Sequence, residues 1–551
     1  MIKACKAVFL LEGKVLDLQN VVDSRVEWTE EGCSFRFEAK EDFTISEFFI
    51  DIEFVDQIVL WRYLDYTWKR PGNDRLVANV HSPKILKLQS GLNVAATGTS
   101  GCWEYQPGSG HLRWFFYHPM LSPTMVYDQI DQRIFLRKQQ ITKGTVINNG
   151  LIAGKGKAEE WARTPLGFVP VVCFTDHSDF DTKANLEVQR ALFSSLGIKV
   201  TKGFFLYDYT HKAANASFES EESRQELIDW DNEGNELAYH ALSQSYRGNK
   251  SEDEFKTFES PKEINPVTCY IDHGFHPYNY TKQKLGEWNS WYTHMSEKGI
   301  RLIWNYLDAG EGNLYTVNQL NPHGFTLNCL KKSSQYFNSK GKKRSPKNEL
   351  RNFLMYGVPE DILRTSKFLK GSLGAVKSKP GFKSIRGLAG DLTSLAKRLL
   401  SPKTIKEINK RRIEIFEINR FGTVFFKACN QKETDIQVFQ TLSVRDFDIV
   451  FSEEALNRLQ DESGLMIAHT YFAYTGENHE GRLFKGDSDD LREEAKAGLE
   501  RLGEKIQKGQ IWNPKISELA GFFKKFESIT YIKEGEDLKI SCFDGIKRSI
   551  E

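Results

Sequence analysis

The sequence predicts an α/β protein: a distorted (β/α) barrel preceded by an N-terminal β-sandwich-like domain. Three observations carry that expectation. Residues 1–165 alternate like strands with no helical period, strand and helix patterns alternate from about residue 166, and several later strands end in ionisable residues. At 551 residues the chain is also too long for one ordinary core.

In the first part, Cys33-Ser-Phe-Arg-Phe-Glu and Phe48-Phe-Ile-Asp-Ile-Glu-Phe-Val have the two-residue period of strands, punctuated by Gly, Pro and Asn clusters. Its aromatic stretch, including Trp103, Tyr105 and Trp114, suits either a sandwich core or a platform for sugar rings. From 166 to 330 the pattern predicts strands over 169–175, 198–206, 236–242, 267–271 and 300–305. Helices are expected over 185–196, closed by Gly197, and over 221–230 and 285–297. Repeated units of this size point to a parallel sheet closed into a barrel. The alternation stops over 331–421 and resumes over 422–551, with strands at 422–426, 436–442 and 465–469 and helices at 452–460, 491–506 and 516–526. The expected organisation is therefore one barrel, 166–330 plus 422–551, interrupted by a basic, partly helical insertion.

Charge separates the insertion from the rest. Residues 331–420 hold 23 Lys/Arg against 7 Asp/Glu, while the whole chain has a formal charge of +1. Within it, Ile385, Leu388, Leu392, Leu395 and Leu399 recur at helical spacing, with Arg386, Lys397 and Arg398 among them. Such a helix suits an anionic membrane surface, or else a stripe packed on the barrel with solvated charges around it. No recognisable nucleic-acid module accompanies the charge, so nucleic acid is not expected as a partner. The eight scattered cysteines contain no CxxC pair, which argues against a thiolate zinc site and a disulfide framework. With no signal-peptide pattern and no apolar run of about 18 residues, the expected location is cytoplasmic, peripheral to the inner membrane.

Four segments concentrate chemistry. Phe174-Thr-Asp-His-Ser-Asp ends the apolar run Val169-Pro-Val-Val-Cys, and Asn235-Glu-Leu-Ala-Tyr-His leads to His240, with Gln244 four residues on. Ile271-Asp-His-Gly places His273 at another strand end, and Gly464-Leu-Met-Ile-Ala-His delivers His469. Polar residues at the carboxyl ends of buried parallel strands are where α/β folds keep catalytic or metal-binding groups. One such histidine alone is more often a hydrogen-bonded core residue. Three such strand ends in one barrel favour a site.

These segments resemble the motifs of the NodB-homology polysaccharide deacetylases, carbohydrate esterase family 4, and most of all their divergent WbmS-like members. The resemblance covers about 200 to 250 residues. It implies a deacetylase-type barrel and a metal-dependent hydrolase removing N- or O-linked acetyl groups from a glycan in bacterial surface-polysaccharide biosynthesis. It places Asp176 on the catalytic base, and His177 or Asp179, His240 and His273 on a divalent metal, zinc by the family's example. His469 falls on the residue protonating the leaving group. Arg445 and Asp446 lie where the family has an arginine and an aspartate that orient the base and the histidine. Gln244 stands where the family has a second histidine ligand. The alternative is a catalytically inactive glycan-binding or assembly protein that retains the fold.

Overall fold

The computed structural model describes the chain except residues 1, 30, 106–109, 128–132, 211–215, 275, 284–286, 343–348, 351, 355–357, 359–361, 363–381, 430, 432–433, 477–481 and 487–488. The N-terminal part forms two antiparallel sheets, one of six strands and one of seven. Their inner faces share one core that includes Phe35, Phe37, Phe48, Ile50, Trp61, Trp103 and Trp114. Trp103 and Trp114 are fully buried and meet edge-to-face, their centroids 5.6 Å apart. The aromatic stretch is thus sandwich core, and these two rings are not a sugar platform.

Seven parallel strands then close into a barrel: β1 (Val171–Asp176), β2 (Thr201–Phe204), β3 (Glu236–His240), β4 (Cys269–Ile271), β5 (Leu302–Glu311), β6 (Gln437–Ser443) and β7 (Leu465–Thr470). They pair in this order, except that β6 follows β5 across the insertion, and β7 returns to β1 in register from Val171↔Leu465 to Asp176↔Thr470. The helix after β1, Lys183–Leu196, starts at a capping box between Thr182 and Asn185 and stops at Gly197, whose φ of 67° is left-handed.

Side-chain parity along the strands sorts them into two layers. Val171, Cys173, Ala238, Ile271, Trp304, Phe439 and Ile467 fill the lumen. Their neighbours Val172, Phe174, Tyr239, Tyr270, Ile303, Val438 and Ala468 pack outward against the helices. The helix Ile516–Lys524 plugs the amino end of the lumen through Ile516, Leu519 and Phe523, and Trp512 bonds into β1 there. The carboxyl end of the barrel is left for chemistry.

Two features depart from the sequence reading. β5 runs to Glu311, well past the expected end at Asn305, because a bulge with Tyr306 at φ 57° interrupts its register with β6 and lets pairing resume at Asp308. The chain's last strands, Tyr531–Glu534, Asp537–Ile540 and Lys547–Ile550, join Ala158–Trp161 in a four-stranded sheet that the local pattern does not announce. There the fully enclosed Glu160 pairs with buried Arg62 and, from the solvent side, with exposed Arg548. In the insertion the structure describes helices Leu327–Ser339, Phe382–Leu399 and Pro402–Arg411. Among the described residues no helix is long and apolar enough to cross a membrane.

Candidate metal centre at the barrel mouth

Four histidines turn into the lumen at the carboxyl ends of their strands. His177 follows β1, His240 ends β3, His273 follows β4 and His469 lies in β7. Their rings touch in sequence. His177 stacks on His469 at 4.2 Å and 29°, His177 meets His240 at 4.5 Å, and His240 meets His273 at 4.8 Å. His276 extends the row, 5.6 Å from His273. Trp304 walls the other side, 4.9 Å from His177 and 4.8 Å from His469.

Asp179 is the anion among them. Its Oδ2 lies 3.0 Å from His240 Nε2 and its Oδ1 lies 2.7 Å from His273 Nε2. The backbone holding it is fixed from behind, because the Gln244 side-chain amide donates to the Asp179 carbonyl at 2.9 Å. Gln244 therefore supports the anion instead of supplying a second imidazole, and His273 brings that imidazole from the next strand. Replacing Gln244 by Ala is expected to weaken divalent-ion affinity about 10–100-fold, the usual cost of losing a group that orients a ligand. Competition against a chromogenic chelator would measure it.

The close spacing of β1 and β3 depends on Gly203 in the strand between them. A Cβ there would meet the Asp176 carbonyl at 2.6 Å and His240 Cβ at 3.5 Å. Ala241, directly after His240, sits at φ 49°, a strained conformation for alanine that re-aims the chain at the site.

Electrostatics suits a cation. Burial, reinforced by His469 and His240, holds the His177 pKa well below the ordinary histidine value, and burial likewise lowers His240. These rings stay neutral, the form in which imidazole binds metal. Burial pushes the Asp179 pKa upward, but His240 and His273 outweigh it and hold the carboxyl well below its usual range.

His177, Asp179 and His240 each offer a donor atom within 4.8 Å of the others. His177 Nδ1 and His240 Nδ1 are buried without a hydrogen bond, and His240 Nε2 and Asp179 Oδ2, though 3.0 Å apart, are not aligned for one. Buried polar atoms left unsatisfied in a cluster call for a missing partner. Tetrahedral bonds of about 2.0–2.2 Å to one ion would set neighbouring donors roughly 3.3–3.6 Å apart. The 3.0 Å between His240 and Asp179 is a few tenths of an ångström short of that spacing, so a small outward shift of either side chain would admit the ion. The residues fit a divalent ion held by nitrogen and oxygen, a donor set that suits zinc and its first-row neighbours.

A second unit adjoins it. His469 Nδ1 lies 2.8 Å from Asp308 Oδ1, Thr441 donates to the same oxygen at 2.7 Å, and Trp304 Nε1 donates to Thr441 at 2.9 Å. The β5 bulge is what aims Asp308 at His469. Asp308 is the site residue that sequence reasoning misses. Of the pair expected to orient the base and the histidine, Asp446 instead caps Phe447–Val450 and accepts from Lys342, while Arg445 lies 3.4 Å from Glu311.

Asp176 is at the right end of the barrel but on the wrong face of its strand. It points with Phe174 into the helix layer, where Thr470 and the Phe472 amide bond one oxygen and Lys202 the other. Lys202 also bonds Asp181 and Gln189, and all three charged groups are sealed from solvent. Burial, offset by Lys202, pushes the Asp176 pKa up to about 6. A carboxylate so engaged is a structural anion, and the geometry gives it no path to a substrate in the lumen.

No family model matches the chain, and no curated protein matches it. Among solved structures, a xylosidase from Aspergillus niger is similar over 57% of this chain and 55% of its own, at 9% identity and a TM-score of 0.19. A GH31 dextranase from Flavobacterium johnsoniae is similar over 54% of this chain and 41% of its own, also at 9% and 0.19. At that score neither likeness carries an argument about fold or chemistry.

Proposed function

We propose that the chain is a divalent-metal-dependent hydrolase that removes N- or O-linked acetyl groups from a glycan. The observation that carries the metal-hydrolase part is the meeting of the His177–Asp179–His240 donor set, flanked by His273, with the His469–Asp308 pair at one barrel mouth. The acetylated glycan comes from the sequence resemblance alone.

His177, Asp179 and His240 would hold the ion, with His273 available to it. When bound, such an ion polarises a carbonyl and makes water a better nucleophile. The chain's own contribution is proton handling. Asp308 fixes Nδ1 of His469 and stabilises the ring when it is charged, and Thr441 holds Asp308 in place. His469 then takes the proton from the attacking water through Nε2 and returns it to the departing amine or alkoxide. This assigns to His469 both roles that the family pattern divides between Asp176 and the histidine.

His469→Ala is expected to slow acetate release by about 10²–10⁴-fold, the range for a lost general acid–base, with metal content unchanged. Acetate release from acetylated oligosaccharides would be followed in both proteins, and an unchanged rate would overturn the assignment. The sealed position of Asp176 favours a second reading, a non-catalytic glycan-binding protein on the same fold. Metal-loaded protein that binds such glycans and releases no acetate would establish it.

A further inference from the structure

The helices Phe382–Leu399 and Pro402–Arg411 and the residues just after each present apolar side chains to solvent inside a strongly basic segment. Leu392 is 49% exposed, Leu400 73%, Ile405 45% and Ile413 77%, and the values for Ile413 and Leu400 are the two largest apolar exposures in the described residues. Leu395 and Leu399, one and two turns from Leu392, are half-buried, while the side chains of Ile385 and Leu388 lie outside the described residues. Leu392 thus keeps about half of its surface in solvent.

Charge identifies what covers this face. Residues 382–414 carry nine Lys/Arg against three Asp/Glu, and Arg386, Lys397, Lys403, Lys406 and Arg412 are exposed. A protein partner would need an acidic surface with an apolar groove of matching shape. A lipid surface with anionic headgroups needs only what is present: exposed leucines and isoleucines interspersed with exposed cations along one segment. The exposed apolar residues also rule out a purely electrostatic contact, as with nucleic acid, which would leave them in water.

We infer that residues 382–414 form a peripheral membrane-binding surface that lies in the headgroup region of an anionic bilayer, its leucines at the acyl boundary. The inference is independent of the hydrolase reading, because none of these residues belongs to the barrel mouth. The surface would keep the barrel beside membrane-attached substrates.

Co-sedimentation of the full chain with vesicles tests it. Binding is expected to vesicles of phosphatidylcholine with roughly a third phosphatidylglycerol, and not to phosphatidylcholine alone. In about 1 M salt, where the Debye length falls to about 3 Å, binding should weaken at least tenfold. Leu392→Glu with Leu400→Glu is expected to weaken it at least tenfold at low salt too, because the buried apolar area is lost. A second variant, Lys397→Glu with Lys403→Glu, should do the same by charge. In both variants the melting temperature and metal content should be those of the parent, since the replaced side chains are exposed. Equal binding to neutral vesicles, failure to bind anionic ones, or full binding by either variant would overturn the inference. So would variants that unfold, since the stripe would then be part of the core.

Discussion

Replacing Lys202 by Met is expected to destabilise the protein by about 3–5 kcal/mol, the cost of leaving buried charge without its partner. The ammonium group sits between Asp176 and Asp181, bonds Gln189, and is itself fully buried. Trp230 and Phe472 face it at 5.5 and 5.9 Å. Burial works against the charged amine, but the two carboxylates outweigh it and raise its pKa above the ordinary lysine value. In the Met variant the two carboxylates would face each other in a dry layer.

The pH dependence has a definite sign. The folded-state pKa of Asp176, about 6, lies above the ordinary aspartate value of 3.8, so the folded chain binds the extra proton between those values. Its contribution to stability therefore falls as pH rises through that window. Without Lys202 the Asp176 carboxyl loses the cation that offsets its burial and is pushed further upward, so the deficit of the variant should shrink as pH is lowered from about 7 toward about 4. Urea melts of both proteins at several pH values would show this. A constant deficit would mean that lost packing, not charge, is responsible. Lys202 also ties down both flanks of the segment that carries His177 and Asp179, so the variant should bind metal more weakly even where it remains folded.

The second large effect concerns the ion itself. A divalent ion at about 1,000 times its dissociation constant should stabilise the protein by about 4 kcal/mol, because it binds only the folded site. His240→Ala removes the ring that bridges the row, lying 4.5 Å from His177 and 4.8 Å from His273. In that variant most of the metal-dependent rise in melting temperature should vanish; the metal-free protein should also lose stability, through the cavity left by the buried ring and the lost contact with Asp179, so the readout is the difference between scans with and without metal. Calorimetric scans with and without zinc, cobalt or nickel would test it. An equal metal-induced rise in the variant would place the ion elsewhere.

The barrel was legible because its strands are short apolar runs bounded by polar ends, and His240, His273 and His469 each sit where such a run stops. What was not legible follows from the same physics. β1 is buried on both faces, so Val171 and Cys173 in the lumen look like Val172 and Phe174 outside it, and no alternation revealed which way Asp176 turns. Asp308 was hidden because the bulge at Tyr306 breaks the two-residue period, and β5 reads as ended at Asn305. Lys202 carries no signal of burial, since a lysine in Thr-Lys-Gly-Phe reads as a solvent-facing residue. The pairing of Lys547–Ile550 with Ala158–Trp161 joins segments that lie on either side of the whole barrel in sequence, beyond the reach of local pattern.

Anomalous scattering from crystals grown with zinc, recorded on both sides of its absorption edge, tests the metal centre most directly. The geometry predicts one strong peak at the barrel mouth, about 2.0–2.2 Å from a ring nitrogen of His177, a ring nitrogen of His240 and a carboxylate oxygen of Asp179. A zinc-soaked crystal with no peak there, and with Asp179 still directly against His240 and His273, would contradict it.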